Sequence, residues 1–487
     1  MSDLLNIGRT GLNASKKSLE TTGHNIANAN TEGYSRQRVH QVTNTPIGKG
    51  GLIHGTGTLV KSVKRVHDQF VAKRLQRSIT NNEYFTERSK QLSEVEQIFN
   101  EVDSEGLNKI MNRFFNSFRE LANQPENETI RSVVRDNAKL IIKDFKRIRE
   151  TLNRVSRHID QRMESNVADI NISLEHVARL NKKIQALEAN YEETGDLRDQ
   201  RDNHVRNLAK YMQIHTYTNG KGQYVVEAHG VGTLVTGAQP QKMMTASLSE
   251  ADSSNKMAGA VEIFFENRPS QAISKAFRGG AMGSLLKARN EDVLRLQEGI
   301  DQIAYEFMNS VNAIHRRGYV SRQIDVGPDG KPVDFDAKGP TTNIDFFKVP
   351  ADVHKAAEKI SLSDAVEGDL SNLATALAPN SPGDNRVAIA ISKLQHEKII
   401  GGGVTTLEEH FLQTIGRVGL EAGKAHLDAE QSEGLLAQAK NIRERLSGVS
   451  IDEETANMVK YQHAYDASAK VMQTADEMFD TIIGIKR

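Results

Sequence analysis

Apolar residues in this chain recur mainly at the three-and-four spacing of amphipathic helices, and the cleanest runs lie at the two ends. Near the start, Leu5, Leu12, Leu19 and Ile26 stand seven apart, with the small residues Gly8, Ser15 and Thr22 at the intervening seam positions. Gly8, Gly11 and Gly23 each cost a helix about 1 kcal/mol relative to alanine, so this segment is marginal alone. Its small seam residues also permit close approach by a partner. Near the other end, Ile451, Met458, Tyr461, Tyr465, Ser468, Met472, Ala475, Phe479 and Ile482 keep helical spacing without a slip. Ser450 and Glu453 have capping-box spacing there. Asp452, Glu453 and Glu454 complement the positive end of the helix dipole, and Lys486 and Arg487 the negative end. Each end thus carries a one-stripe helix that needs a partner. Pairing within the chain and pairing between chains both remain open.

Between the ends, proline marks where long helices fit, because a helix interior tolerates it badly. None occurs from Glu126 to Gln239 or after Pro382. Helices are predicted after Thr58 (Val71, Leu75, Ser78, Phe85, Ser89, Leu92, Phe99), over 107–122, and over about 126–188. The last of these, with Ile148, Leu152, Val155 and Ile159 on one stripe, makes a rod of about 90 Å and reads as a bundle seam. Further helices are predicted over 282–317, 385–397 and 406–446, the last capped by Thr405 and Glu408, with a hinge at Gly401–Gly403. From about 211, β-branched residues, tyrosines and glycine turns signal short strands, including 261–267, and 318–350 is rich in Gly, Pro and Asp. The fold class is mainly α with an inserted β-rich domain. Residues 1–35 and 450–487 form a terminal coiled coil. Residues 36–210, 280–317 and 383–449 form a long-helix bundle, and 211–279 with 318–382 a β-rich outer domain.

Composition narrows the chemistry. Basic and acidic residues balance at 63 each, which removes the main driving force for gripping nucleic acid or anionic lipid. The absence of cysteine removes disulfides, thiolate metal sites and thiol nucleophiles. No secretory signal peptide and no membrane span is expected. The 15 histidines include no H-E-x-x-H, and the glycines of 48–57 read as turns in a connector rather than a phosphate loop. Asp196, Asp199 and Asp202 interleave with Arg198 and Arg201, as expected of a salt-bridged helix surface. Tyr461 and Tyr465 belong to the seam. No catalytic residue, metal site or cofactor is expected.

One stretch is more specific. "NIANANTEGYSRQ", residues 25–37, places Asn25, Ala27, Asn28, Thr31, Gly33 and Tyr34 on an N-x-A-N-x-x-T-x-G-Y pattern. This resembles the signature of bacterial flagellar axial proteins, the rod, hook and hook-associated proteins. "YSRQ", "GTGTLVKSVKRVHDQFVAKRL" (55–75), "GDLRDQRD" (195–202), "PGDNRVAIAISKLQ" (382–395) and the segment 447–485 resemble the hook-associated protein 1 family in particular. Asparagine and threonine side chains favour a defined turn, Gly33 permits a left-handed exit, and Tyr34 offers a ring with a polar tip to a neighbouring subunit. The resemblance implies a secreted structural protein at the hook–filament junction of the extracellular flagellum, assembled helically with copies of itself through its terminal helices. It implies contact with hook protein and hook-associated protein 3. It also implies export by the flagellar type III apparatus after a chaperone has engaged the C-terminal stripe Met458, Tyr461, Tyr465, Met472, Phe479 and Ile482. The alternatives are another axial protein, hook or rod, or a cytoplasmic coiled-coil scaffold.

Overall fold

The computed structural model describes residues 2–49, 52–99, 106–190, 192–248 and 259–485; Lys486 and Arg487, read above as dipole partners, lie outside them. The first helix, α1 (Ser2–Ala27), pairs antiparallel with the last, α12 (Ile451–Ile485): Gly8 lies against Met472, and Asn25 bonds Glu454. Of the two arrangements the sequence leaves open, the pair forms within the chain. A Cβ on Gly8 would stand 2.7 Å from the Met472 side chain, and one on Gly11 2.8 Å from the Ser468 hydroxyl. Those glycines let the two backbones approach closely.

The connector read as turns is instead a strand ribbon. Strand β1 (Gln37–Thr43) pairs antiparallel with β4 (Thr58–Arg65), and β2 (Ile47–Lys49) pairs with β3 (Leu52–His54) at its tip. Alternation in "QRVHQVT" and "TLVKSVKR" carried the period of two, which the glycines between them obscured. The ribbon lies along α1: Gln41 Nε2 donates to Ser18 Oγ at 3.0 Å, and Gly57, at φ +98°, packs on Thr10.

Helix α2 (Gln69–Phe99) runs antiparallel to α11 (Leu407–Ser447), with Leu75 and Ile79 against Ala439, Leu92 against Ala422 and Ala425, and Phe99 edge-on to Phe411. The cap of α11 is Thr406 with Glu409, one residue beyond the predicted Thr405 and Glu408. Gly401, Gly402 and Gly403 all have positive φ at the preceding turn. Helices α3 (Leu107–Asn123), α4 (Glu128–Glu188), α5 (Gly195–Tyr211), α6 (Gly280–Lys287) and α7 (Leu294–His315) complete the long elements, a π-helical turn joining α6 to α7. Thr80 and Glu83, despite capping-box spacing, lie inside α2.

The 61-residue α4 is the spine, and here the expectation of a narrow seam needs correcting. It contributes residues from Ile130 to Ala178 to a continuous core shared by α3, α5, α7 and two small sheets. These sheets are β5 (Ile214–Thr218), β6 (Tyr224–Ala228), β7 (Gly232–Thr236), β8 (Gln239–Pro240), and β9 (Met243–Ser247), β10 (Val261–Phe265), β11 (Arg268–Ala272). Residues 318–382 differ from the reading: their strands are two residues long, and they are accompanied by the short helices α8 (Ala356–Lys359) and α9 (Asp364–Gly368). Their Gly, Pro and Asp content makes turns, and their burial comes from docking on α4 and α7. Phe346 and Phe347 enter a ring cluster with Phe114, Phe115, Phe118 and Phe307 at centroid distances of 4.7–6.3 Å. Arg289, buried at the π turn, binds Asp160 of α4 and the Val261 carbonyl of β10. α10 (Arg386–Lys393) closes the cluster beside α3.

His315 pins 318–382 to the end of α7. Fully buried, it accepts from the Ala374 N–H at Nε2 (2.9 Å) while Nδ1 donates to the Ile344 carbonyl (2.7 Å). Both bonds together require the neutral ring. Burial holds its pKa at about 4, against an ordinary 6.5. The unfolded segment therefore takes up a proton first. Stability is whole above pH about 6.5 and declines toward pH 4, by on the order of 3 kcal/mol. Hydrogen exchange of 315–376, corrected for intrinsic rate, is expected to accelerate over that window. Unchanged protection between pH 7 and 5 would contradict the assignment.

Candidate functional site: the joint of the terminal helix pair

Chain exit from α1 is stitched locally, then locked at long range. Asn28 Nδ2 donates to the His24 carbonyl (3.0 Å), the Thr31 hydroxyl to Asn28 Oδ1 (3.2 Å), and the Tyr34 N–H to the Thr31 carbonyl (3.1 Å). Gly33 follows at φ +86°, and a Cβ there would meet the Arg206 guanidinium at 2.4 Å. Only glycine fits both the angle and the contact.

Asn25, at 1% exposure, uses its whole bonding capacity. Its Nδ2 donates to the Gln37 carbonyl (2.9 Å) and Glu454 Oε2 (3.0 Å). Its Oδ1 accepts from the Tyr34 hydroxyl (2.8 Å) and the Gln37 N–H (2.9 Å). One carboxamide thereby joins α1, β1, the turn and α12. The Tyr34 ring is buried edge-on to His24, and burial, with Asp196, Asp199 and Glu454 nearby, drives its hydroxyl pKa well up. Tyr34 is therefore spent inside its own chain rather than offered to a neighbour.

Two carboxylate clamps flank this centre. Arg36 binds Glu453 (2.6 Å) and Glu454 (2.5 Å) at the start of α12, and its N–H donates to the Ser447 carbonyl at the end of α11 (2.9 Å). Glu453 thus serves Arg36, and the predicted cap with Ser450 is stretched to 3.5 Å. On the other side, Asp199 of α5 accepts from the Ser35 N–H (2.7 Å), the Ser35 hydroxyl (2.9 Å) and Arg65 (2.6 Å), while Asp202 takes Arg65 at 2.7 Å. Burial alone would lower the Arg65 pKa, but Asp202 and Asp199 outweigh it and hold it up. Asp196 receives Gln37 and His24. The interleaved charges are therefore only partly a solvated surface: Asp199 and Arg201 are each 6% exposed, whereas Asp196 stays exposed. Arg443 Nη2 donates to the Tyr34 carbonyl (2.6 Å).

The pattern residues separate accordingly. Asn25, Gly33 and Tyr34 meet at the joint, Asn28 and Thr31 build its turn, and Ala27 is exposed at the helix end. Leu5, Leu12, Leu19 and Ile26 are half-buried, whereas Gly8, Ala14, Ser15, Ser18, Thr21 and Thr22 are the buried line of α1. Met458, Tyr461, Tyr465, Met472 and Phe479 are half-buried along α12, and Ile482 is exposed. Sequence alone leaves Arg36 and Arg65 unassigned and makes Asp199 part of a salt-bridged surface and Glu454 a dipole complement, because their partners lie more than a hundred positions away in the chain. Among the described residues no group of three His, Asp or Glu is placed to hold a metal, and no helix is long and apolar enough to cross a membrane.

Replacing Asn25 by alanine strips partners from a buried carboxylate, a phenol and a backbone N–H. The expected cost is about 2–4 kcal/mol, confined to the joint. Limited proteolysis over 28–36 should speed up while unfolding of the bundle is unchanged. A cleavage rate equal to the parent's would remove Asn25 from this role.

Comparisons with known proteins agree with this layout. The flagellar hook-associated protein FlgK helical domain matches residues 92–329, the flagellar basal body rod FlgEFG protein C-terminal region matches 445–485, and the flagella basal body rod protein family matches 5–34. Flagellar hook-associated protein 1 of Bacillus subtilis is 30% identical, covering 98% of this chain and 97% of its own. The proteins of that name from Salmonella typhimurium and Escherichia coli are 25% and 24% identical over the full length of both partners. The solved flagellar hook junction protein FlgK from Burkholderia pseudomallei, 15% identical, shares the fold, with a TM-score of 0.62 over 77% of this chain and all of its own. A full-length relative at that identity, with a helical body between two axial-type ends, decides the assignment: the chain belongs to the flagellar hook-associated protein 1 family, structural components of the hook–filament junction.

Proposed function

We propose that copies of this chain form the junction layer through their terminal pairs, with hook protein on one side and hook-associated protein 3 on the other. The observation that carries this reading is how little the pair covers. Among the described side chains of α12, only Glu454 and Ala475 are buried, while Val459, Met478, Ile482 and Ile483 are 45–62% exposed. Leu412, Leu420, Leu427 and Leu435 add a second exposed line on α11, all above 50%. A pair with this much apolar surface in water gains by burying it, at about 25 cal/mol per Å². Hook and rod proteins share the ends, but the helical body of 92–329 favours the hook-associated reading.

A neighbouring stripe of α12, half-buried along α1 in the folded chain, suits a chaperone before secretion. Met458, Tyr461, Tyr465, Met472 and Phe479 recur at the spacing that helix-in-groove recognition uses. Export through the type III apparatus would proceed unfolded, and a cysteine-free chain forms no disulfide on reaching the extracellular flagellum. On this reading the ends exchange hydrogen faster than α4 in a dilute chain and slow on assembly.

Ending the chain after Lys470 removes Met472, Ala475, Phe479 and Ile482 and uncovers Gly8. The expected outcome is loss of the junction, with filament protein shed into the medium and the bundle's melting unchanged. Normal filaments on cells making the truncated chain would sink the assembly role.

A further inference from the structure

The leucines exposed on α11 share one face. Leu412, Leu420, Leu427 and Leu435 stand seven or eight apart, on the side away from the buried line of Phe411, Val418, Ala422, Ala425 and Ala439. Leu420 and Leu427 are 78% and 64% exposed. Gly416, Gly423 and Gly434 lie on the same side, and a Cβ on any of the three would meet nothing within 4 Å. Gly8 and Gly11 of α1 are met by α12, whereas these have no such occupant in their own chain. Each still costs the helix about 1 kcal/mol relative to alanine.

Charge is uneven along this face. Glu408 is bound by Asn108, Glu409 closes the cap with Thr406, and Glu421 pairs with Arg295, which leaves Arg417 and Lys424 near Leu420. From Ala425 to Ala439 the helix has no lysine or arginine, and His426 is its one basic side chain. Asp428, Glu430 and Glu433 fall in that stretch and make no ion pair among the described residues.

α4 carries the complement. Lys143, Lys146, Glu150, Arg154 and Arg157 are exposed at three-and-four spacing, a ridge about 20 Å long. Lys139, Arg147 and His158 at its flanks pair with Glu367, Asp144 and Glu94, and Asp136 stands 4.0 Å from Arg135. The four cations of the ridge have only Glu150 among them and no ion pair among the described residues. Like charges three apart, Lys143 with Lys146 and Arg154 with Arg157, weaken a helix. A groove of about 600 Å³ opens beside Lys143 and Lys146, with Ile142 and Leu362 in its wall.

We infer that the leucine face of α11 in one copy packs on the cationic ridge of α4 in the copy beside it. This rests on the assembly reading above and names two of its surfaces. α11 and α4 lie on two sides of the layer formed by α2 and α7, so each copy presents one surface to either neighbour. The contact is lateral and heterologous, and it repeats around a tube of side-by-side chains. Asp428, Glu430 and Glu433 meet the lysines and arginines, Leu427 and Leu435 enter the groove, and the open glycines let the helices approach closely.

A photoreactive benzoylphenylalanine placed at Leu427 tests this without assuming a register. Isolated flagella carrying it would be irradiated and the linked peptides mapped by mass spectrometry. Links between copies into 136–157 are the expected result. Complete junctions whose links reach only α11 itself, another surface or another protein overturn this contact and leave the assembly reading standing, as does the absence of any link. An unaltered chain that builds no junction overturns both. Leu420→Glu with Leu427→Glu gives a second readout. Both side chains are exposed, so the purified chain is expected to melt with the parent while junction yield falls several-fold; a parental yield overturns the contact. Lys143→Glu with Lys146→Glu is expected to act alike, and a full yield from that pair removes α4 as the partner.

Discussion

The carboxamide of Asn25 is the constraint on which the terminal pair depends. Apolar burial is non-directional, and the buried line of α1 offers little of it, since its members are glycine, alanine, serine and threonine. Register and direction must then come from groups that bond in fixed geometry. Asn25 alone ties four segments, and its two donors and two lone pairs are all used. Sliding α12 by one residue would leave the Glu454 carboxylate buried and short of a partner, which costs more than the apolar contacts of that step return. Polar burial here selects one arrangement rather than adding much stability.

The rest of the structure turns that local lock into a mechanical connection. Ser35 and Arg65 pass it through Asp199 to α5, and Arg36 passes it to the start of α12 and the end of α11. α5 packs on α4, whose core runs unbroken to the phenylalanine cluster. The fully buried rings and the half-covered terminal helices thus sit at two ends of one stability gradient. The body keeps its shape unaided, while the pair, short of apolar contacts, is correctly aimed but weakly held.

Much of this was legible from the sequence, for identifiable reasons. Long helices announce themselves through periodicity and the absence of proline, so α3, α4, α7 and α11 fall where expected. The ends read correctly as one-stripe helices, but periodicity cannot say which side of a stripe faces the partner. Buried Gly8 and Ser15 look like gaps between leucines until the helices are seen to touch. The ribbon at 37–65 was hidden because the glycines between its two strands read as turns in a connector. Asp199 was misjudged for a different reason. An acid between arginines on one helix resembles a solvated face, and only the return of residues 35 and 65 to α5 reveals it as buried. Local pattern carries element identity; long-range polar contacts leave no local trace.

A weakly held end is also what a chain exported unfolded and polymerised afterwards needs, on the assembly reading proposed above. Each of Leu5, Leu12, Leu19 and Ile26 is half-covered in the lone chain. Completing their burial releases a fraction of the roughly 1.5–3 kcal/mol that a fully buried aliphatic side chain contributes. Spread over both helices, that reserve is spent only when neighbours arrive. Filling the gaps at Gly8 and Gly11 with larger residues would not supply it earlier, because Met472 and Ser468 already occupy the space. The closeness that keeps the pair thin also denies it the surface to be self-sufficient, and the joint must then hold its aim by hydrogen bonds and ion pairs.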